Sequence, residues 1–292
     1  MIDQFLNYLR YEKNRSELTV ERYEDSLLDF QDYLGKLEGG LTWASVDADI
    51  IRGWMESLMD RGNIASTVNT GLSALKSFYR FALARGLVSR DPAHMVRGPK
   101  KRKPLPQFVK ESELNELLDE TEWSDTYIDV RARTIIIILY EAGLRRSELV
   151  GLDDKDVDLT AMQLKVTGKR NKQRVIPFGK ELAEQLVLYK ACRDEQIPKH
   201  SEAFFLDKRG ERITGDLVYR TVKKNLSKVT TLKKRSPHVL RHSFATAMLN
   251  HDAGLESVRQ LLGHESLETT EIYTHTTFEQ LKREYANAHP RA

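Results

Sequence analysis

Apolar residues recur through the first 90 positions of the chain with the three- and four-residue spacing of amphipathic helices. Ile2, Phe5, Leu6 and Leu9 share one helical face. Val20, Tyr23, Leu27, Phe30 and Leu34 form a second, with Thr19 placed to cap it. Ile50, Ile51, Trp54, Met55 and Leu58 mark a third helix; Leu72, Leu75, Tyr79, Ala82 and Leu83 mark a fourth, which Gly86 ends. Four helices with short connections predict a small bundle, and nothing in it has the look of a reaction centre.

The pattern breaks at residues 97–106, Arg-Gly-Pro-Lys-Lys-Arg-Lys-Pro-Leu-Pro. Its prolines and glycine deny it a helix, and its charges favour an extended linker. This predicts a helical domain over 1–96 and a second domain over 107–292. The second is also helical, apart from Met162–Thr167 and Gln173–Phe178, which alternate in strand fashion around a turn at Gly168–Lys172 and predict a β-hairpin. The longest apolar run, Ile135 to Tyr140, is a core segment far too short to span a bilayer.

Composition changes this picture little. Hydrophobic residues make up 40% and charged residues 30%, the balance of an ordinary soluble protein. Met-Ile-Asp-Gln-Phe at the start has no basic-then-apolar pattern, so no secretory signal is expected. The single cysteine, Cys192, excludes an internal disulfide and a cysteine-cluster metal site, and it fits a reducing cytoplasm. Charge is more telling in its distribution than in its net value of +3. Residues 1–96 carry 11 Lys/Arg against 14 Asp/Glu, after which Arg97, Lys100, Lys101, Arg102 and Lys103 form a basic cluster. Such a cluster neutralises phosphates and releases counterions, although charge alone fits a solvated linker equally well.

The candidate chemistry lies in the second domain. In Ser236-Pro-His-Val-Leu-Arg-His242, Ser236 and Pro237 suit the N-cap and first position of a helix. His238 and Arg241 then share a face near that helix's N-terminus, where a phosphate can be received. His238 and His242 also have metal-pair spacing, but no third ligand accompanies them, so no metal is expected. Leu262-Gly-His264 follows, with Tyr273 nine residues beyond His264. Each feature alone is weak. Together they form an ordered set with Gly143-Leu-Arg145-Arg-Ser-Glu-Leu149 and the hairpin-turn pair Gly168-Lys169.

With that set the chain resembles the tyrosine recombinases, the Xer and phage-integrase family, over essentially its whole length, including Ser73-Ala-Leu-Lys-Ser-Phe-Tyr-Arg-Phe81. The resemblance implies a mostly α fold: an N-terminal SAM-like core-binding bundle, and an α-helical recombinase catalytic domain with a small β-hairpin or sheet. The two domains would clamp duplex DNA from opposite sides. By motif, Arg145 and Arg241 match the family's two arginines, Lys169 its hairpin lysine, His238 and His264 its histidines, and Tyr273 its nucleophile. Arg170, where many relatives have a second glycine, and Arg146, where many have an aliphatic residue, are departures that touch none of these positions. DNA contact is expected at Ser73, Lys76, Arg80, Lys100, Lys101, Arg102, Lys103 and Arg170. Glu148 is read as holding an arginine or capping a turn, and His242 and His275 as structural.

These residue types suit the implied reaction. Ionising a tyrosine of pKa about 10 at pH 7 costs roughly 4 kcal/mol, and a phosphorane carries extra negative charge. Arg145 and Arg241 would hold its non-bridging oxygens, with a hydrogen bond from His264. Lys169 would protonate the leaving 5′-oxygen, and His238 would help move the tyrosine proton. A 3′-phosphotyrosine would conserve the bond energy, so no ATP, metal or other cofactor is expected. The implied partners are a double-stranded recombination site, a tetramer assembled on it, a second related recombinase and a septal DNA translocase. The implied role is chromosome dimer resolution. An integrase of a mobile element, a type IB topoisomerase-like enzyme and a non-catalytic DNA-binding regulator stay open as alternatives. Finally, Phe278, Leu281 and Tyr285 form a stripe on a C-terminal helix. Phe278 and Leu281 are expected to dock on an adjacent subunit.

Overall fold

A computed structural model describes residues 1–37, 39–101, 107–168, 171–263 and 278–292. The chain divides into two compact units, Met1–Pro104 and Leu105–Ala292.

The first unit is a helical bundle. Helix α1 (Ile2–Asn7) runs into a π-helical turn at Tyr8–Glu12 and is followed by α2 (Glu17–Gly35), α3 (Ala48–Asp60) and α4 (Ala65–Ala84). The cap of α2 is Ser16, not Thr19. Thr19 lies inside the first turn, its hydroxyl 2.9 Å from that of Ser16. Asp47 caps α3 by accepting from the amides of Asp49 and Ile50, each at 2.9 Å. The expected faces meet in one core of Phe5, Leu27, Phe30, Trp54, Leu75 and Phe78, among others. Leu83 departs from expectation: it is exposed, while Val68 and Phe78 complete the buried face of α4. Gly86 ends that helix at φ +67°, and Leu87 N–H reaches back to the Ala82 carbonyl at 2.8 Å. The expected linker begins packed rather than free, since Asn69 on α4 donates to the Pro99 carbonyl at 2.9 Å.

The second unit is built around α6 (Tyr127–Glu141), where Ile135 to Tyr140 are all buried. Helices α8 (Lys180–Gln196), α9 (Gly215–Val229) and α10 (Pro237–Asn250) pack against it. The shorter α5 (Glu111–Asn115), α7 (Arg146–Gly151) and α11 (Leu255–Leu262) complete the shell with α12 (Phe278–Ala288). The hairpin forms as β2 (Gln163–Thr167) and β3 (Gln173–Pro177). A two-residue strand, β1 (Val157–Asp158), extends it to a three-stranded antiparallel sheet. Leu164 pairs with Ile176 and Val166 with Arg174, so Arg174 stands on the sheet's core-facing side. Among the described residues no helix is long and apolar enough to cross a membrane.

In this single chain α12 packs on its own domain, with Tyr285 and Ala288 its deepest members, while Phe278 and Leu281 stay half-buried. The Tyr285 hydroxyl donates to Glu141 Oε2 at 3.4 Å, and His289 stacks on Tyr285 and Phe244. Beyond the helix, Arg291 is gripped by Asp119, Glu181 and Asn115.

Candidate active site

Arg145 sits at the N-cap of α7, directly after Gly143 and Leu144. Gly143 is required on two counts. Its φ is +57°, and a Cβ there would fall 2.6 Å from the Phe244 ring. Its carbonyl accepts from Arg241 Nη1 at 2.6 Å, which brings the loop before α7 onto α10. Helix α10 begins as its sequence predicts, with Ser236 extended at the N-cap and Pro237 at the first position. Arg241 is buried one turn into it, whereas His238 stays exposed.

Glu148 organises the two arginines. Placed three residues after Arg145 and almost fully buried, it accepts from the Arg145 amide at 2.8 Å and from Arg145 Nη1 at 2.7 Å. Its second partner is Arg174, whose Nη1 and Nη2 meet Oε1 and Oε2 at 2.7 and 2.9 Å. Arg241 Nη1 is 3.8 Å from Oε2. Burial alone would raise the carboxyl's pKa, but the bonds and charge of Arg174, then those of Arg145, outweigh it and hold the group at about 2. Glu148 therefore holds arginines, as its sequence position suggested. Arg241 is pulled down to about 9, first by burial and then by Arg145, and stays charged at pH 7. The His238 imidazole, exposed at its edge but partly desolvated by its surroundings, is lowered by that desolvation and by the positive charges of Lys234 and Arg241.

The three guanidinium groups converge on one helix end. Arg174 Nε donates to the Leu261 carbonyl at 2.8 Å, Arg241 Nη2 to Leu262, and Arg145 Nη2 to Gly263 at 2.9 Å. These are consecutive carbonyls at the C-terminus of α11, which its own geometry leaves unpaired and partly negative. Gly263 closes the helix in the left-handed conformation at φ +62°, and a Cβ there would meet Arg174 atoms at 3.1 Å.

Of the other expected residues, Ser73, Lys76 and Arg80 are on α4. Ser73 and Arg80 are exposed and Lys76 half-buried. Lys100 and Lys101 are exposed. Lys169, Arg170, His264, Tyr273, Arg102 and Lys103 lie outside the described residues. Sequence reasoning missed Arg174. Its signal was present, since alternation in β3 puts it on the same face as Ile176, and a charge at an inward strand position asks for a buried partner.

Residues 107–280 match the model of the phage integrase family, and residues 2–86 that of the phage integrase N-terminal SAM-like domain. The whole chain is 38% identical to the tyrosine recombinase XerC of Pelotomaculum thermopropionicum over 98% of that protein. It is also 38% identical to the XerC of Vibrio vulnificus over 91% of that protein. In fold it resembles the XerH site-specific recombinase bound to its difH substrate, with TM-score 0.71, 24% identity, and coverage of 97% of this chain and 83% of that one. It likewise resembles the Tn1549 transposon integrase bound to transposon right-end DNA, with TM-score 0.72, 19% identity and 98% of each chain covered. The chain belongs to the phage integrase family and is a tyrosine site-specific recombinase of the Xer type.

Proposed function

We propose that this recombinase cuts and reseals duplex DNA through a covalent 3′-phosphotyrosine on Tyr273, with Arg145 and Arg241 holding the scissile phosphate. The observation that carries the reading is the convergence of those two arginines, from α7 and α10, around the shared carboxylate Glu148. A phosphate beside them meets two charges already fixed in position, so little reorganisation opposes the pentacoordinate state. His264 adds a hydrogen bond to it, Lys169 delivers the proton to the leaving 5′-oxygen, and His238 takes up the tyrosine proton. In the lowered range of His238 its neutral, accepting form is already favoured at pH 7.

On this reading the enzyme assembles as a tetramer on its recombination site, with a second related recombinase as a partner and a septal DNA translocase as its regulator. It resolves chromosome dimers in the cytoplasm without a cofactor. Full-length similarity to XerC proteins supports that role over mobile-element integration. Ser73, Lys76, Arg80, Lys100, Lys101, Arg102, Lys103 and Arg170 are the proposed DNA contacts.

Sequencing the DNA bound by the protein should recover one chromosomal site rather than the ends of a mobile element. A nicked duplex of that site should give a protein–DNA adduct on a denaturing gel. Tyr273→Phe should bind the same DNA and form no adduct, and a normal adduct from that variant would overturn the assignment.

A further inference from the structure

We propose that Arg174 is a positioning residue for strand cleavage: it neutralises Glu148 so that the charges of Arg145 and Arg241 stay available to the phosphate. The proposal rests on reading those two arginines as the phosphate clamp.

Glu148 is a necessary anchor and also a hazard. Its carboxylate fixes Arg145 through two hydrogen bonds, yet it is a buried negative charge beside the place where another negative group must arrive. Unbalanced, it would repel the phosphate and draw Arg241, only 3.8 Å away, into a closer ion pair. Arg174 prevents both. Its fork spans both carboxylate oxygens, and its side chain is 15% exposed, so solvent screens the pair little. Three guanidinium groups against one carboxylate leave two positive charges for the phosphate.

Geometry assigns this task to arginine in particular. While the fork is engaged, Nε reaches the Leu261 carbonyl and the stem lies against Gly263, so each of the three nitrogens holds a partner. A lysine can supply the charge but cannot span two oxygens and a carbonyl. Gly168, on the other flank, fits the same cluster: a Cβ there would meet Glu148 Oε1 at 3.5 Å and Arg174 Nη1 at 3.9 Å. The pair therefore sits between the residue preceding Lys169 and the helix end preceding His264.

The test compares adduct formation on three versions of the nicked recombination site. One carries an ordinary phosphodiester, one a methylphosphonate that lacks the negative charge, and one a 5′-bridging sulfur that leaves without a proton. Arg174→Gln should lose about 10- to 100-fold in adduct rate on the phosphodiester, with half-site binding on native gels little changed. The methylphosphonate should restore most of the loss, and the sulfur substrate none of it. Arg174→Lys should show a smaller loss with the same substrate dependence, and it carries the comparison if the glutamine variant does not fold. Equal loss on all three substrates would mean that Arg174 only supports the fold. Rescue by sulfur would mean that it acts through the turn bearing Lys169. Wild-type rates in both variants would remove it from the reaction. Each of these results overturns the proposal while leaving the clamp reading intact. A wild-type adduct rate in Arg145→Ala or Arg241→Ala overturns the clamp reading itself.

Discussion

At the residue scale the site is governed by one acid among three bases. The Glu148 pKa lies below the ordinary carboxylate value of about 4.3, so its stabilisation is complete above that pH and is lost as the pH falls towards about 2. The shift corresponds to about 3 kcal/mol at neutral pH. Glu148→Gln should therefore be destabilised by that order at pH 7 in urea melts, with the gap to wild type narrowing between pH 5 and 2.5. Gly143→Ala tests the other side of the clamp. A methyl group 2.6 Å from the Phe244 ring, on a left-handed backbone, should cost about 2 kcal/mol in thermal unfolding. Much of this was legible beforehand. Glu148 three residues after Arg145 has capping-box spacing, and Gly143 ahead of a helix start signals an unusual backbone. Convergence of three arginines on α11 was not legible, because it pairs residues 21 to 118 positions apart and no local pattern encodes such contacts.

At the element scale, amphipathic pattern located the helices better than it chose their partners. Leu83 has helical spacing with its neighbours but falls just outside the arc that α4 buries. The stripe on α12 is apolar as its spacing predicts, yet spacing cannot say which surface it covers. In the single chain its deepest residue, Tyr285, joins His289 and Glu141 in a buried polar patch. Burial holds His289 neutral, with its pKa at about 3 against an ordinary 6.5. The unfolded chain thus takes up a proton that folding must expel, and stability falls as the pH drops from about 6.5 towards 3. Glu141, raised by burial, works in the opposite direction. Comparison with His289→Phe isolates the histidine. The variant, whose ring can keep the stacking on Tyr285 and Phe244, should lose less stability than wild type between pH 6.5 and 4.5. The difference should be up to about 1.4 kcal/mol per pH unit. A parallel decline in the two proteins would show that His289 is not the group whose protonation destabilises the fold.

For the whole molecule, the proposed DNA contacts of the basic tract can be tested through the salt dependence of binding. Replacing Lys100, Lys101, Arg102 and Lys103 with Gln should weaken binding evenly across DNA sequences. It should also flatten the salt dependence by about 0.9 logarithmic units for each phosphate that is no longer neutralised. A change confined to the specific site would argue that the tract reads sequence. A different consequence follows from two anchors, one at Gly263, which accepts from Arg145, and one at α12, which begins at Phe278 and is seated through Tyr285 and Ala288. Tyr273 lies ten residues past the first anchor and five before the second. At no more than about 3.6 Å per residue, the first allows roughly 36 Å of travel and the second roughly 18 Å. The shorter tether decides the range. On the proposed reading, the Tyr273 backbone lies no more than roughly 18 Å from the start of a seated α12. On that reading, inserting residues between Tyr273 and Phe278 should lengthen the tyrosine's reach by up to about 3.6 Å for each one added.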